Sequence, residues 1–158
     1  MGAWGPGLYS DDVTEDVRGI YVDKLHRGKN GEQASKEMIA EFEWAWSDED
    51  DAPVFWFAMA DMQWNYGRLQ EEVKKKALYY LNDMKNLQRW EYENLKMSEK
   101  RKQVLNELRK KLNTLQPSEK KVSQYRLYHC QWKVGDMYAY QLEGEYAKER
   151  GLNGKYLL

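Results

Sequence analysis

The chain has 158 residues, 42% of them hydrophobic and 32% charged, with a net charge of −1. Those values exclude a disordered chain and a strongly basic nucleic-acid coat, and they suit one fair-sized folded domain, or one domain plus a fragment of another. One cysteine, Cys130, excludes an internal disulfide.

The charge is unevenly spread. Residues 1–51 hold 5 Lys/Arg against 13 Asp/Glu, whereas residues 96–121 hold 9 against 3. The acidic part suits a basic partner, or the basic part of its own chain. Seven Trp and twelve Tyr exceed what a core of this size needs, so some rings are expected at the surface as binding anchors or as amphipathic rings at the core edge.

The first ten residues place Gly2, Gly5, Pro6 and Gly7 around Trp4. This predicts an irregular segment lying on a helical body, with one large ring to bury. The start lacks the basic and apolar regions of a signal peptide, and Pro6 breaks a myristoylation pattern, so the cytoplasm is the expected location.

Ser10 is the expected N-cap of a helix over about 11–27, with Val13, Val17, Ile20, Tyr21 and Leu25 on one face and Gly28 as the stop. Asp11, Asp12, Glu15 and Asp16 crowd its start, where the helix dipole favours negative charge. A second helix is predicted over about 32–47, with Ala34, Met38, Phe42, Ala45 and Trp46 as its apolar stripe. The acidic run Asp48–Asp51 follows; it lacks the spaced ligands and central glycine of an EF-hand loop and reads as a solvated loop that caps the next helix.

That next helix, over 53–67, is the centre of the chain. Asp51 is its expected N-cap, Pro53 suits its first turn and Gly67 its stop. It is apolar on nearly every side, as a helix covered by others must be, and at about 14 residues it is too short for a bilayer, which needs roughly 20. Asp61 and Asn65 share a face, and Gln63 points elsewhere. A carboxylate so placed needs hydrogen bonds. Asp61 is therefore expected to pin residues 2–7 through their backbone N–H groups. Trp4, Asp61 and Trp64 are read as structural.

Leu69 to about Leu81 forms a fourth helix. Residues 86–97 and 99–115 then read as one long helix or two in tandem, with Val104, Leu105, Leu108, Leu112 and Leu115 as the later stripe. From 122 onward β-favouring rings alternate. Strands are predicted over 124–133 and 137–142, with a turn at Gly135-Asp136 and a third strand starting at 154–158. So short a set of strands either packs on helices or continues in a longer parent protein. The fold class is mainly α with a small C-terminal β appendage (α+β): a multi-helix bundle around 53–67, with a helical domain over 1–115 and a β segment over 122–158.

Two stretches carry a resemblance. Met1-Gly2-Ala3-Trp4-Gly5-Pro6-Gly7-Leu8-Tyr9-Ser10-Asp11-Asp12, the run Phe55–Trp64 and Gly67-Arg68-Leu69 resemble a bacterial family that opens MGxWG with a short acidic stretch, catalogued as a domain of unknown function. The likeness covers about 1–115. Trp132-Lys133-Val134-Gly135-Asp136-Met137-Tyr138-Ala139-Tyr140-Gln141-Leu142 is similar to the KxGDxxAxxL opening of a β-rich immunity-protein family of bacterial polymorphic-toxin systems. That resemblance implies a protein that binds and neutralises a toxin and is not an enzyme.

No catalytic signature accompanies these features. His26 and His129 lie in different segments, and His129 and Cys130 are adjacent, which on a strand sends them to opposite faces. Zinc spacing and a P-loop are both missing from the sequence. The leading expectation is a non-enzymatic inhibitor or immunity-type protein, without cofactor or metal and without a membrane partner, aimed at a toxin or defence effector such as a nuclease. A phage-borne anti-defence inhibitor fits the same physics. Its contact residues are expected among Trp44, Trp46, Asp48, Glu49, Asp50, Trp90 and Tyr92. The alternative is nucleic-acid binding through Lys100, Arg101, Lys102, Arg109, Lys110 and Lys111.

Overall fold

The structure, a computed structural model, describes residues 4–83, 95–126 and 129–157. It is mainly helical and divides into two compact units, Met1–Tyr125 and Arg126–Leu158. The helical unit thus runs ten residues past the expected boundary at 115, and the expected start of the β segment at 122 belongs to it.

The first unit contains α1 (Asp12–His26), α2 (Gly31–Glu41), α3 (Glu43–Trp46), α4 (Asp51–Asn65), α5 (Glu71–Asn82) and α6 (Leu95–Leu112). The cap of α1 is Asp11 rather than Ser10: its carboxylate accepts the Val13 N–H at 2.9 Å. Asn30 and Gln33 form a reciprocal capping box on α2. The helix expected over 32–47 breaks at Phe42, which leaves helical geometry while its buried ring stacks on Phe55 with centroids 5.6 Å apart. The predicted helix over 86–97 lies outside the described residues, except for 95–97, which open α6. Leu115, expected in the apolar stripe, lies beyond the end of α6 and is almost wholly exposed.

α4 is the core, as its composition predicts. Every residue from Ala52 to Gln63 is buried, and α1, α3, α5 and α6 pack against it. Full burial of side chains such as Phe55, Phe57 and Met59 stabilises by roughly 1.5–3 kcal/mol each. Asp51 is its first residue, not its cap. Asp50 holds the cap position without a side-chain cap bond, and Asp48 Oδ1, two residues earlier, accepts the N–H groups of Asp50 at 2.9 Å and Asp51 at 3.2 Å.

The helix ends as predicted, by a Schellman turn. Gly67, at φ +66°, donates to the Trp64 carbonyl at 2.9 Å, and Arg68 donates to the Gln63 carbonyl at 2.8 Å. Gly28 closes α1 by the same pair of bonds, to Leu25 and Lys24.

After α6 the chain returns as a strap over the C-terminal ends of α1 and α4. Lys120 N–H donates to Tyr66 O, Tyr125 N–H donates to His26 O, and Arg68 pairs with Glu119 at 2.9 Å. The His26 and Tyr125 rings stack with centroids 5.0 Å apart.

The second unit is small. β1 (Tyr140–Gln141) and β2 (Tyr156–Leu157) pair antiparallel, Tyr140 opposite Leu157 and Gln141 opposite Tyr156, with α7 (Glu145–Glu149) between them. The predicted second and third strands thus survive as a minimal ladder. The strand predicted over 124–133 does not form among the described residues. Gln124 and Tyr125 belong to the strap. At the other end, Trp132 packs edge-on against Tyr138 across a turn, with centroids 4.1 Å apart. The Asp136 carboxylate fixes that turn by accepting the Lys133 N–H at 2.7 Å. Within 124–133, Tyr125 thus stacks on His26 and Trp132 packs across the turn, and neither ring joins a ladder.

Candidate functional site

The short helix α3 and the loop after it bring together most of the expected contact residues. From Glu41 to Asp51 the chain carries six acids and no Lys or Arg. Trp44 is 53% exposed, and its ring stacks on buried Phe42 with centroids 6.0 Å apart. Phe42 in turn stacks on Phe55 of α4. Trp44 is therefore a large exposed ring on a rigid base. Trp46 differs: it is half-buried, and its indole N–H donates to the Ile39 carbonyl at 2.7 Å, so it holds α3 onto α2. Trp90 and Tyr92 lie outside the described residues.

Charge is distributed to the same effect. Part of the acidity of the N-terminal third is matched by its own cations: Glu37 and Glu41 by Lys24, Glu37 also by Lys29, Glu32 by Lys36, and Asp23 by Arg27. Burial pulls the Lys24 ammonium down, but hydrogen bonds and charge from Glu41 and Glu37 together hold it above its ordinary value. Glu43, Asp48 and Glu49 make no ion pair among the described residues, and Asp50 is exposed beside them. Glu43, Asp48 and Glu49 therefore leave negative charge beside Trp44, as Asp12 and Asp16 do at the start of α1.

The basic helix α6 is divided between inside and outside. Lys100, Lys102 and Lys110 are exposed. Arg101 is only 3% exposed, donates to the Gly7 carbonyl at 2.8 Å, and is pulled down to about 10 by burial. Arg109 donates to the Leu81 carbonyl. Lys111 reaches Asp61 Oδ1 at 2.5 Å and Asn65 Oδ1 at 2.7 Å, with its ammonium 4.7 Å from the centre of the Trp64 ring. Three of the six expected phosphate-binding cations are thus spent within the fold.

Asp61 is buried, as expected, and anchors the N-terminal segment, but among the described residues the anchor is not a backbone N–H of residues 4–7. Its Oδ2 accepts the Tyr9 hydroxyl at 2.7 Å and the Asn65 amide at 2.8 Å. Burial, and then the charge of Asp61, push the Tyr9 hydroxyl well above its ordinary value. Glycine supplies no side chain for the carboxylate, whereas Tyr9, just beyond the glycines, reaches it with a phenol. The Trp4 ring, expected to bury, is 59% exposed.

A groove on α1 escaped the sequence reading. It has a volume of about 630 Å³ and lies between Tyr9, α1, the end of α4 and Tyr125. Its one sequence signal was Gly19, a glycine in the middle of a helix. Among the described residues, no group of three His, Cys, Asp or Glu side chains is placed to hold a metal ion, and no helix is long and apolar enough to cross a membrane. Comparison with family models, curated proteins and solved structures finds no match to this chain.

Proposed function

We propose that the chain is a non-enzymatic protein-binding module of the inhibitor or immunity type: a multi-helix bundle that docks through Trp44 and the acids of residues 43–50 onto a basic protein. The observation that carries this reading is the half-exposed Trp44 ring, held from below by Phe42 and flanked by Glu43, Asp48 and Glu49, which make no ion pair among the described residues. Trp is the residue type most enriched among interface hot spots, and a rigid ring loses little entropy on docking. The carboxylates steer a basic partner and speed encounter at low salt. A nuclease toxin or defence effector, basic because it must bind nucleic acid, has the matching charge. The likeness of residues 132–142 to an immunity-protein opening supports the same reading.

The test is affinity capture from the native host, followed by titration of the purified partner. A basic protein whose affinity falls at least tenfold with Trp44→Ala, and falls steeply with salt, is the expected result. Retention of DNA or RNA that Lys100→Glu, Lys102→Glu and Lys110→Glu abolish would replace this reading with nucleic-acid binding.

A further inference from the structure

We infer that the groove over Gly19 is a second binding site, one that takes a flat aromatic ring bearing an acceptor or anionic oxygen at one edge. Glycine inside a helix is less stable than alanine by roughly 1 kcal/mol. The usual compensation is a neighbour too close for a methyl group. At Gly19 a Cβ would meet nothing within 4 Å. Packing within the fold therefore gives no reason for a bare backbone here. Close approach of something from outside does.

Gly19, Val22, Asp23 and His26 recur at helical spacing on a face of α1 other than the one that buries Val17, Tyr21 and Leu25. The bare backbone at Gly19 lines the groove beside Tyr9, Tyr66, Tyr125 and Met62, with Arg18, Asp23, His26 and Asn65 as its polar lining. At about 630 Å³ its volume lies within the range of small-molecule sites. A flat ring suits bare backbone beside π-faces and a thioether.

Two of these rings are fixed in place. The Tyr9 hydroxyl is bonded to Asp61, and Tyr125 is stacked on His26.

The charge at the rim decides the polarity of the ligand. Asp23 is already paired with Arg27 at 2.6 Å, so its charge is answered from within. Arg18 lies over the Tyr9 ring, 5.3 Å from its centre, and its nearest carboxylate, Glu15, stands 3.6 Å away with both side chains at least half exposed. Such a pair is weak. Arg18 is thus the donor available to an incoming oxygen.

Titration followed by amide NMR tests this with four probes: indole-3-acetate, indole-3-acetamide, tryptamine and cyclohexaneacetate. The expected result is perturbation of Gly19, Val22 and Tyr66 amides by indole-3-acetate, with the acetamide weaker, and tryptamine and cyclohexaneacetate at least tenfold weaker still. Gly19→Ala is expected to raise the melting temperature while weakening indole-3-acetate at least threefold, and Gly19→Leu to abolish binding in a folded protein. A glycine with a purely structural role would not raise stability when replaced. Arg18→Met is expected to remove the preference for acetate over tryptamine. Absence of perturbation at millimolar probe, tightest binding by tryptamine, or equal binding of cyclohexaneacetate would overturn the proposal. Its failure leaves the Trp44 surface untouched, because the two share no residue.

Discussion

Lys111 and Asp61 meet at 2.5 Å, joining α6 to α4 across fifty residues of sequence. Asp61 is 6% exposed and also holds Tyr9 and Asn65, so one carboxylate ties the N-terminal segment, the core helix and the last long helix of the unit together. Removing one member of a buried pair leaves the other charge stranded. Because Lys111 is partly open to water, Lys111→Met is expected to cost about 2 kcal/mol and Asp61→Asn at least as much. Urea unfolding should show the double variant less destabilised than the sum of the two, since both changes break one interaction. Limited proteolysis should show Asp61→Asn cut within residues 4–10 sooner than the wild type. Unchanged melting and unchanged cleavage would remove Asp61 from this role.

Gly67 is required twice, by its φ of +66° and by the strap above it. An added Cβ would lie 2.5 Å from the Pro117 carbonyl oxygen and 2.6 Å from that of Ser118. Gly67→Ala is therefore expected to cost more than the ~1 kcal/mol of the left-handed conformation alone, on the order of 2–3 kcal/mol. Amide exchange should show the bonds of Lys120 and Tyr125 opening first, because the strap is what must move.

Tyr21 is fully buried, its ring meets Tyr66 edge-on, and its hydroxyl has no hydrogen-bond partner among the described residues. Burial pushes it up to about 12. A phenol kept protonated in the fold, but free to ionise near 10 when unfolded, contributes stability that is whole below pH 10 and is lost between pH 10 and 12. The slope is about 1.4 kcal/mol per pH unit. Tyr21→Phe is expected to leave stability at pH 7 nearly unchanged, since an unpaired hydroxyl is removed. It should also flatten the alkaline decline seen in urea midpoints at pH 9, 10 and 11. Tyr9, raised by burial and by Asp61, adds to that decline in both proteins.

Trp44 and Trp46 stand two residues apart and should part company under mutation. Trp46→Ala removes a half-buried ring and its bond to Ile39, and is expected to cost about 3 kcal/mol of stability. Trp44→Ala removes a ring more than half in solvent, and its melting temperature should stay within a degree or two of wild type. Thermal denaturation distinguishes them directly. A large loss in Trp44→Ala would make that ring part of the core.

The legible parts of the fold were those decided locally. An unbroken apolar run made α4 the core, and Gly28 and Gly67 stopped their helices because only glycine enters that turn cheaply. The break at Phe42 was not legible: the apolar stripe continues through it, and only the stacking on Phe55 marks the place. The tail misled for a similar reason, since alternating rings look alike whether they build a ladder or pack across a turn. At the candidate site, the acids and Trp44 were named from sequence. The inward course of Arg101, Arg109 and Lys111 was not, because their partners, Gly7, Leu81 and Asp61, lie 28 to 94 residues away.

The most direct measurement is photo-crosslinking from a benzophenone amino acid placed at position 44, compared with the same group at position 103 on the exposed side of α6, in extract of the native host. One dominant protein adduct is expected from position 44, lost when Asp48 and Glu49 are neutralised and absent from position 103. Nucleic-acid adducts from position 103, or no adduct at position 44, would contradict docking through Trp44.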